Sequence, residues 1–391
     1  MAGKRAVYDV FLRFRVNAKN WDKSLRRVER RLTRASRSMQ RTGQTLTTSI
    51  TAPLALAGGA AVKFAVDVEQ SFAKIQNLVG ITGDQLSGFQ KDVSRISSLT
   101  AKSQRELADA LFVVTSAGAR GAEAIQILES SAKAGAVGLG DTAEIARSVT
   151  SILQAYGSEN ISAARAADIL FATVKQGNLE AETLAPNLGK VIAVASTLGV
   201  EFEEVGASIA TYTKLGVSAE DATTALANVL NLFLKQTPAQ RKAFEDLGIS
   251  VESLRGTLRN EGLASALFRI VEAAEGNDDA IGELVPNIRA LRGVLGTAGV
   301  QGETYRKVLE AIKNETRLVD VGFENVSKTA GFKFKQALTS LQNVAIELGN
   351  VLIPILTKVV ERIKNLISSF QALPDSTKRS IVQIGLLVAA L

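Results

Sequence analysis

From residue 83 to about 320 the chain repeats one local grammar: a residue able to cap a helix, a stripe of apolar residues spaced by three and four, then a glycine. Ser103-Gln104-Arg105-Glu106 has the form of a capping box, in which the Ser side chain accepts from an orphan amide and the Glu reaches back. Leu107, Leu111 and Val114 follow on one face, and Gly118 ends the run. Asp141 with Glu144 opens another helix, striped by Ile145, Val149, Ile152 and Tyr156 before Gly157. Thr237-Pro238 is a further start, with Thr as cap and Pro at the first helical position. Only 5% of residues are aromatic and small Ala and Gly are plentiful, which suits closely packed helices and suits sandwiches of strands poorly. The expected class is all-α, an irregular multi-helix bundle with long flanking helices and a short N-terminal strand.

Residues 105–118, RELADALFVVTSAG, resemble 203–216, EEVGASIATYTKLG, in length, apolar spacing and terminal Gly, with a weaker echo at 143–157. The separations of about 98 and 38 residues are unequal, so the sequence reads as duplicated helix–turn units rather than a fixed-period solenoid.

Five segments are expected. Residues 1–45 form a basic arm: 1–41 hold 13 Lys or Arg against 3 Asp or Glu, so the net +7 of the whole chain belongs to this end. Tyr8, Val10, Leu12, Phe14 and Val16 alternate as a strand over 6–17 would. Trp21, Leu25, Val28 and Leu32 then mark an amphipathic helix, on which Arg26, Arg27, Arg30, Arg31, Arg34 and Arg37 are candidate partner contacts. An acidic protein wall, packaged DNA or anionic lipid would each suit that charge, and so would a plain solvated face. Residues 46–80 are an Ala-rich connecting helix, too charged at Lys63, Asp67, Glu69 and Lys74 for a membrane span. Residues 81–330 are the helical core.

In 331–373, Leu338, Leu341, Ala345, Leu348, Leu352, Ile355 and Val359 alternate spacings of three and four, the seam of a coiled coil or of a long helix packed on its own chain. Leu338, Leu341, Leu348, Leu352, Ile355 and Val359 are the candidate contacts there, and Pro354 is expected to kink the helix. Residues 374–391 open a hydrophobic segment. Ile381–Leu391 is too short to cross a bilayer, and the natural protein is expected to extend it.

The chain has no Cys and no His, which removes disulfides, thiolate nucleophiles, Ser-His pairs and most zinc, haem or iron–sulfur ligation. Gly138-Leu139-Gly140-Asp141-Thr142-Ala143 fits a loose dinucleotide fingerprint, yet a helical stretch precedes it where a strand is needed, so it reads as a turn with an Asp cap. Carboxylates cluster at Glu201, Glu203 and Glu204 and at Asp278 and Asp279, where acidic residues complement helix dipoles more often than they hold metal or substrate. No catalytic residue, cofactor or metal is expected, and the chain is read as no enzyme.

The order of basic arm, Ala-rich helix running into DVEQSFAKIQNLVG at 67–80, and capped helical series resembles the tail tape measure proteins of bacteriophages, of the TP901 core type. LGKVIAVASTLGVEFEEVGASIATYTKLGVSAEDATTALANVL at 188–230, with its small-residue helices and LGV turns, carries most of the likeness, which covers roughly 60–330 and suggests the N-terminal part of such a protein. The resemblance implies a virion protein, made in the host cytoplasm and lying in the tail lumen or at the tail tip, that scaffolds tube assembly, sets tail length and takes part in genome ejection. It implies the tail tube protein, baseplate or tail-tip proteins and tail assembly chaperones as partners, self-association as trimer or hexamer, and leaves open nonspecific DNA contact and host membrane contact during ejection. Even a fully helical chain of 391 residues spans only about 590 Å. A host-encoded helical scaffold or envelope-active protein is the competing reading.

Overall fold

The computed structural model describes residues 52–274, 281–282, 284–285 and 302–374. The strand expected at 6–17, the arginines from Arg26 to Arg37, Asp278, Asp279 and Ile381–Leu391 lie outside them. Two compact units are delimited: Phe64–Val351, and a second made of 1–63 with 352–391. In the second unit the described residues are the start of α1 (Ala52–Lys74), the end of α16 (Ala330–Gln371) and the three residues that follow it.

Every described element is helical. After α1, which ends in a π turn at Ile75–Val79, come α2 (Gly83–Thr100), α3 (Gln104–Ser116), α4 (Gly121–Ala136), α5 (Thr142–Tyr156) and α6 (Ala163–Gln176). They are followed by α7 (Ala181–Asn187), α8 (Ile192–Leu198), α9 (Phe202–Lys214), α10 (Ala219–Leu234), α11 (Pro238–Asp246), α12 (Val251–Glu261) and α13 (Leu263–Ala273). The described chain resumes with α14 (Gly302–Asn314), α15 (Leu318–Ser327) and α16. The all-α expectation holds.

The caps sit where the sequence put them, with one difference. Asp141 accepts from the amides of Ala143 and Glu144, and Thr237 and Gln240 complete a reciprocal box. Ser103 accepts from the Glu106 amide at 3.2 Å, but the Glu106 carboxylate does not reach back. It takes Lys102 Nζ at 2.8 Å and Thr142 Oγ1 at 2.7 Å, because a neighbouring helix start offers a donor that the local box cannot match. The LGV turns have one cause. At Gly199 and Gly216 the backbone is left-handed (φ 77° and 85°), and the following Val amide bonds back to Ala195 or Tyr212, closing the helix end.

Within Phe64–Val351 the helices stack in two rows. One row holds α3, α5, the short pair α7 and α8, and α10, with starts at 104, 142, 181 and 219 that are 38 or 39 residues apart. The other holds α2, α4, α6 and α9, starting at 83, 121, 163 and 202. Hydrogen bonds jump the same interval: Ser71 to Asp109 (2.8 Å) and Arg165 to Glu203 (3.1 Å) each span 38 residues, and Ser148 to the Ala185 carbonyl (2.9 Å) spans 37. The likeness of 105–118 to 203–216 compares helices of different rows, whereas the weaker echo at 143–157 is the true row neighbour of α3.

Small residues let these helices approach. Ala108, Ala124, Ala146, Ala166 and Ala210 are fully buried beside Leu111, Ile127, Val149, Ile169 and Leu226. Buried hydroxyls such as Thr115, Thr150, Thr173 and Thr211 return their hydrogen bonds to the carbonyl four residues earlier, so they enter the core without an unmet donor. Gly206 on α9 marks the closest approach: a Cβ there would stand 2.5 Å from Thr173 Oγ1 and 3.3 Å from Ile169 Cγ2. Gly206→Ala should cost about 1–3 kcal/mol by overpacking. Gly256→Ala on α12, where nothing lies within 4 Å, should instead stabilise by about 0.5–1 kcal/mol. Urea midpoints of the two variants would show the opposite signs.

A third layer returns along the second row. α14 packs on α6 and α9, and α15 packs on α4 and α6. α16 then reaches the end of α2 and the start of α3 through Asn343.

Candidate interaction surfaces

The helix α6 carries a charge bracket that holds the turn between α14 and α15. Arg165 donates to the carbonyls of Ile312 (3.0 Å), Lys313 (3.3 Å) and Glu315 (2.8 Å), the negative end of α14. One turn along α6, the buried Asp168 accepts from the amides of Arg317 (2.6 Å) and Val319 (2.9 Å), the positive start of α15. Each charge faces the helix end of opposite sign, the favourable sense for a helix dipole. Arg317 adopts a left-handed backbone (φ 59°), uncommon for a residue with a side chain, and the Asp168 carboxylate fixes the two amides on either side of Leu318.

The acidic cluster at the start of α9 is a second set of ties. Glu203 pairs with Arg165, and Glu201 lies 2.6 Å from Lys313 Nζ, holding that ammonium above its usual range. Glu204 is buried and accepts from the Leu263 amide at the start of α13 (2.8 Å) and the Glu201 amide (3.3 Å). Burial raises its pKa, against the pull of those two amides. All three carboxylates are thus engaged by other helices, through Arg165 on α6, Lys313 on α14 and Leu263 on α13. Among the described residues no group of three or more acidic side chains could hold a metal ion.

Two faces of α16 have opposite fates. Phe332, Thr339, Asn343 and Ile346 are buried, Phe332 edge-on to Phe323. Asn343 exchanges hydrogen bonds with Ser97, Ser98 and Gln104 at 3.1–3.2 Å, and Gln336 donates to the Ser98 carbonyl at 2.8 Å. The helix docks by a largely polar face, and the heptad seam points away. Leu338, Leu341 (66% exposed), Leu348 (56%), Ile355 and Val359 are exposed, and Leu352 is half-buried. Pro354 lies inside the helix. α16 is also long and apolar enough to cross a membrane by length and composition, with a mean hydropathy of 1.5 over its most apolar stretch. The six seam residues therefore share one helix, while the six arginines lie outside the described residues.

A cleft of about 880 Å³ opens between α2, α4 and the starts of α6 and α15. Phe89, Ile81, Ile125 and Ala122 contribute apolar surface, and Asp92, Arg95, Glu129, Lys133 and Asp320 form ion pairs at its rim. Sequence reasoning missed this cleft and the Arg165–Asp168 bracket, since they depend on partners up to 187 and 151 residues away.

The chain is similar to known phage tail proteins. Residues 90–284 match the family described as phage-related minor tail protein. The chain is 25% identical over 351 residues to the tape measure protein of Pneumococcus phage Dp-1, covering 89% of this chain and 30% of that protein. It is 22% identical over 363 residues to a probable tape measure protein of Clostridium phage phiCD119, covering 90% of this chain and 37% of that one. The chain thus spans about a third of the length of these relatives. No solved structure matches. By its matched stretch, from within α2 to beyond α13, this chain belongs to the phage-related minor tail protein family, in the company of tape measure proteins.

Proposed function

We propose that the chain serves without enzymatic activity in a phage tail tape measure, as part of the scaffold on which the tail tube is built to length. The observation that carries the reading is the alignment of about nine-tenths of this chain with tape measure proteins. A second feature supports it: α16 is a continuous 42-residue helix whose apolar seam is exposed, a rod of about 63 Å. In this reading the tail tube protein, tail-tip or baseplate proteins and assembly chaperones are its partners. It self-associates as a trimer or hexamer through α16, lies in the tail lumen and leaves with the genome.

Deleting three heptads, Leu348–Ser368, keeps Phe332, Gln336, Thr339, Asn343 and Ile346 on the stack and preserves the phase of the seam. Tails carrying the deletion should shorten uniformly by about 30 Å, and duplication of the same 21 residues should lengthen them equally, as read by electron microscopy. Intact tails of unchanged length in both cases would remove α16 from the ruler. The hydropathy of α16 favours a second reading, an envelope-active helix. Stable fractionation of the chain with membranes in the absence of tails would favour that one.

A further inference from the structure

The second row of the stack offers three successive troughs on the side of the third layer. α14 fills the one between α6 and α9, and α15 fills the one between α4 and α6. α16 does not continue the series. Its buried face meets the flank of α2 that bears Ser94 and Ser97, whereas Gln85, Phe89 and Asp92 on the other flank line the cleft. The trough between α2 and α4 is left without a helix.

We propose that this trough receives the exposed seam of α16 from a second copy of the chain. Repeat equivalence identifies the kind of occupant: the two neighbouring troughs each hold an amphipathic helix, so the vacant one has the shape for a third. The same molecule bears a helix face in the complementary state, with Leu338, Leu341 and Leu348 exposed. α2 stands between the two surfaces, so a chain's own α16 cannot enter its own trough and the contact is made between copies.

The rim charges are already matched, Arg95 with Asp92 and Glu129, and Lys133 with Glu129 and Asp320. With Arg120, Arg317 and Asp168 the lining holds four cations and four carboxylates, so burial of apolar surface, with no net charge to neutralise, is the driving force, which fits a leucine seam and does not fit a polyanion. The contact joins two different surfaces, so it is head-to-tail and grows into a ring or a filament according to the rotation between copies. It rests on the self-association in the proposed function and specifies the surface that receives α16.

The absence of cysteine makes the test clean. Two single variants of the full chain, Ala122→Cys in the trough and Leu341→Cys on the seam, both replace exposed side chains. Mixed and oxidised, they should yield a disulfide-linked dimer at least tenfold above either variant alone. In parallel, Ala122→Glu should weaken self-association in sedimentation while leaving the melting temperature unchanged. A disulfide formed by Leu341→Cys alone would overturn the proposal, showing that seams pair with each other, and would leave self-association through α16 standing. A chain that stays monomeric in sedimentation would overturn both.

Discussion

Replacing Asp168 with alanine should cost about 3 kcal/mol of unfolding free energy and loosen the third helical layer before the rest of the stack. The carboxylate is buried and is the acceptor for both the Arg317 and Val319 amides. Its loss leaves two amides at a helix start without that partner, each worth about 1–3 kcal/mol when desolvated. It also removes the contact that keeps Arg317 left-handed. Asp168→Asn keeps only one of the two acceptor oxygens, loses the charge and turns an NH2 donor on the other amide, so most of the loss should remain.

Hydrogen exchange at 317–327 should accelerate in the alanine variant while amides of α3 and α5 keep their protection. Arg165→Met frees the other side of the same turn, so the double variant should destabilise by less than the sum of the singles. An Asp168→Ala cost below about 0.5 kcal/mol, the range of an ordinary surface change, would refute the bracket.

Glu204 gives the second large effect. Glu204→Ala strips the first amide of α13 of its acceptor inside the packed unit and should cost about 2–4 kcal/mol. Glu204→Gln should cost far less, since its amide oxygen can still accept from Leu263, and the comparison depends on pH in a fixed sense. Burial raises the folded pKa of Glu204 above its unfolded value. The group therefore contributes most stability when protonated, below the unfolded pKa, and that contribution is lost as pH rises through the folded pKa. The glutamine side chain of the variant cannot titrate. The stability of the wild type relative to Glu204→Gln should accordingly improve as pH falls from 7 into the acid range. Denaturant midpoints of both proteins across that range give the slope directly, and the opposite slope would mean that the hydrogen bonds from Leu263 and Glu201 outweigh burial.

Local signals are legible in the sequence and distant ones are not. Asp141, Thr237 and the LGV turns act on residues within one helical turn, so sequence alone exposes them. Asp168 and Arg165 lie in SAARAADI, which reads as the ordinary alternation of a packed helix, and their partners come about 150 residues later. Spacing likewise reveals the seam of α16 but not which face docks. Gln336, Thr339 and Asn343 look like a solvent face until α2 and α3 supply Ser97, Ser98 and Gln104 as partners. The acidic cluster at Glu201–Glu204 is structural in kind, as its place at a helix start implies. Its reach to α6, α13 and α14 needs the fold.

The third layer also sets a clock on synthesis. Each helix of the two rows finds its neighbour about 38 residues on, soon after both leave the ribosome, whereas Arg165 waits 147 residues for the Ile312 carbonyl. At about 5–20 residues per second the wait is roughly 7–30 s. Throughout it the surfaces of α6 and α9 that α14 will cover stand open to water. Ser97 waits longer still, 246 residues, for Asn343. A chain arrested before residue 302 should therefore be the species most prone to aggregate, and the one that a helper protein binding apolar helix faces would hold longest.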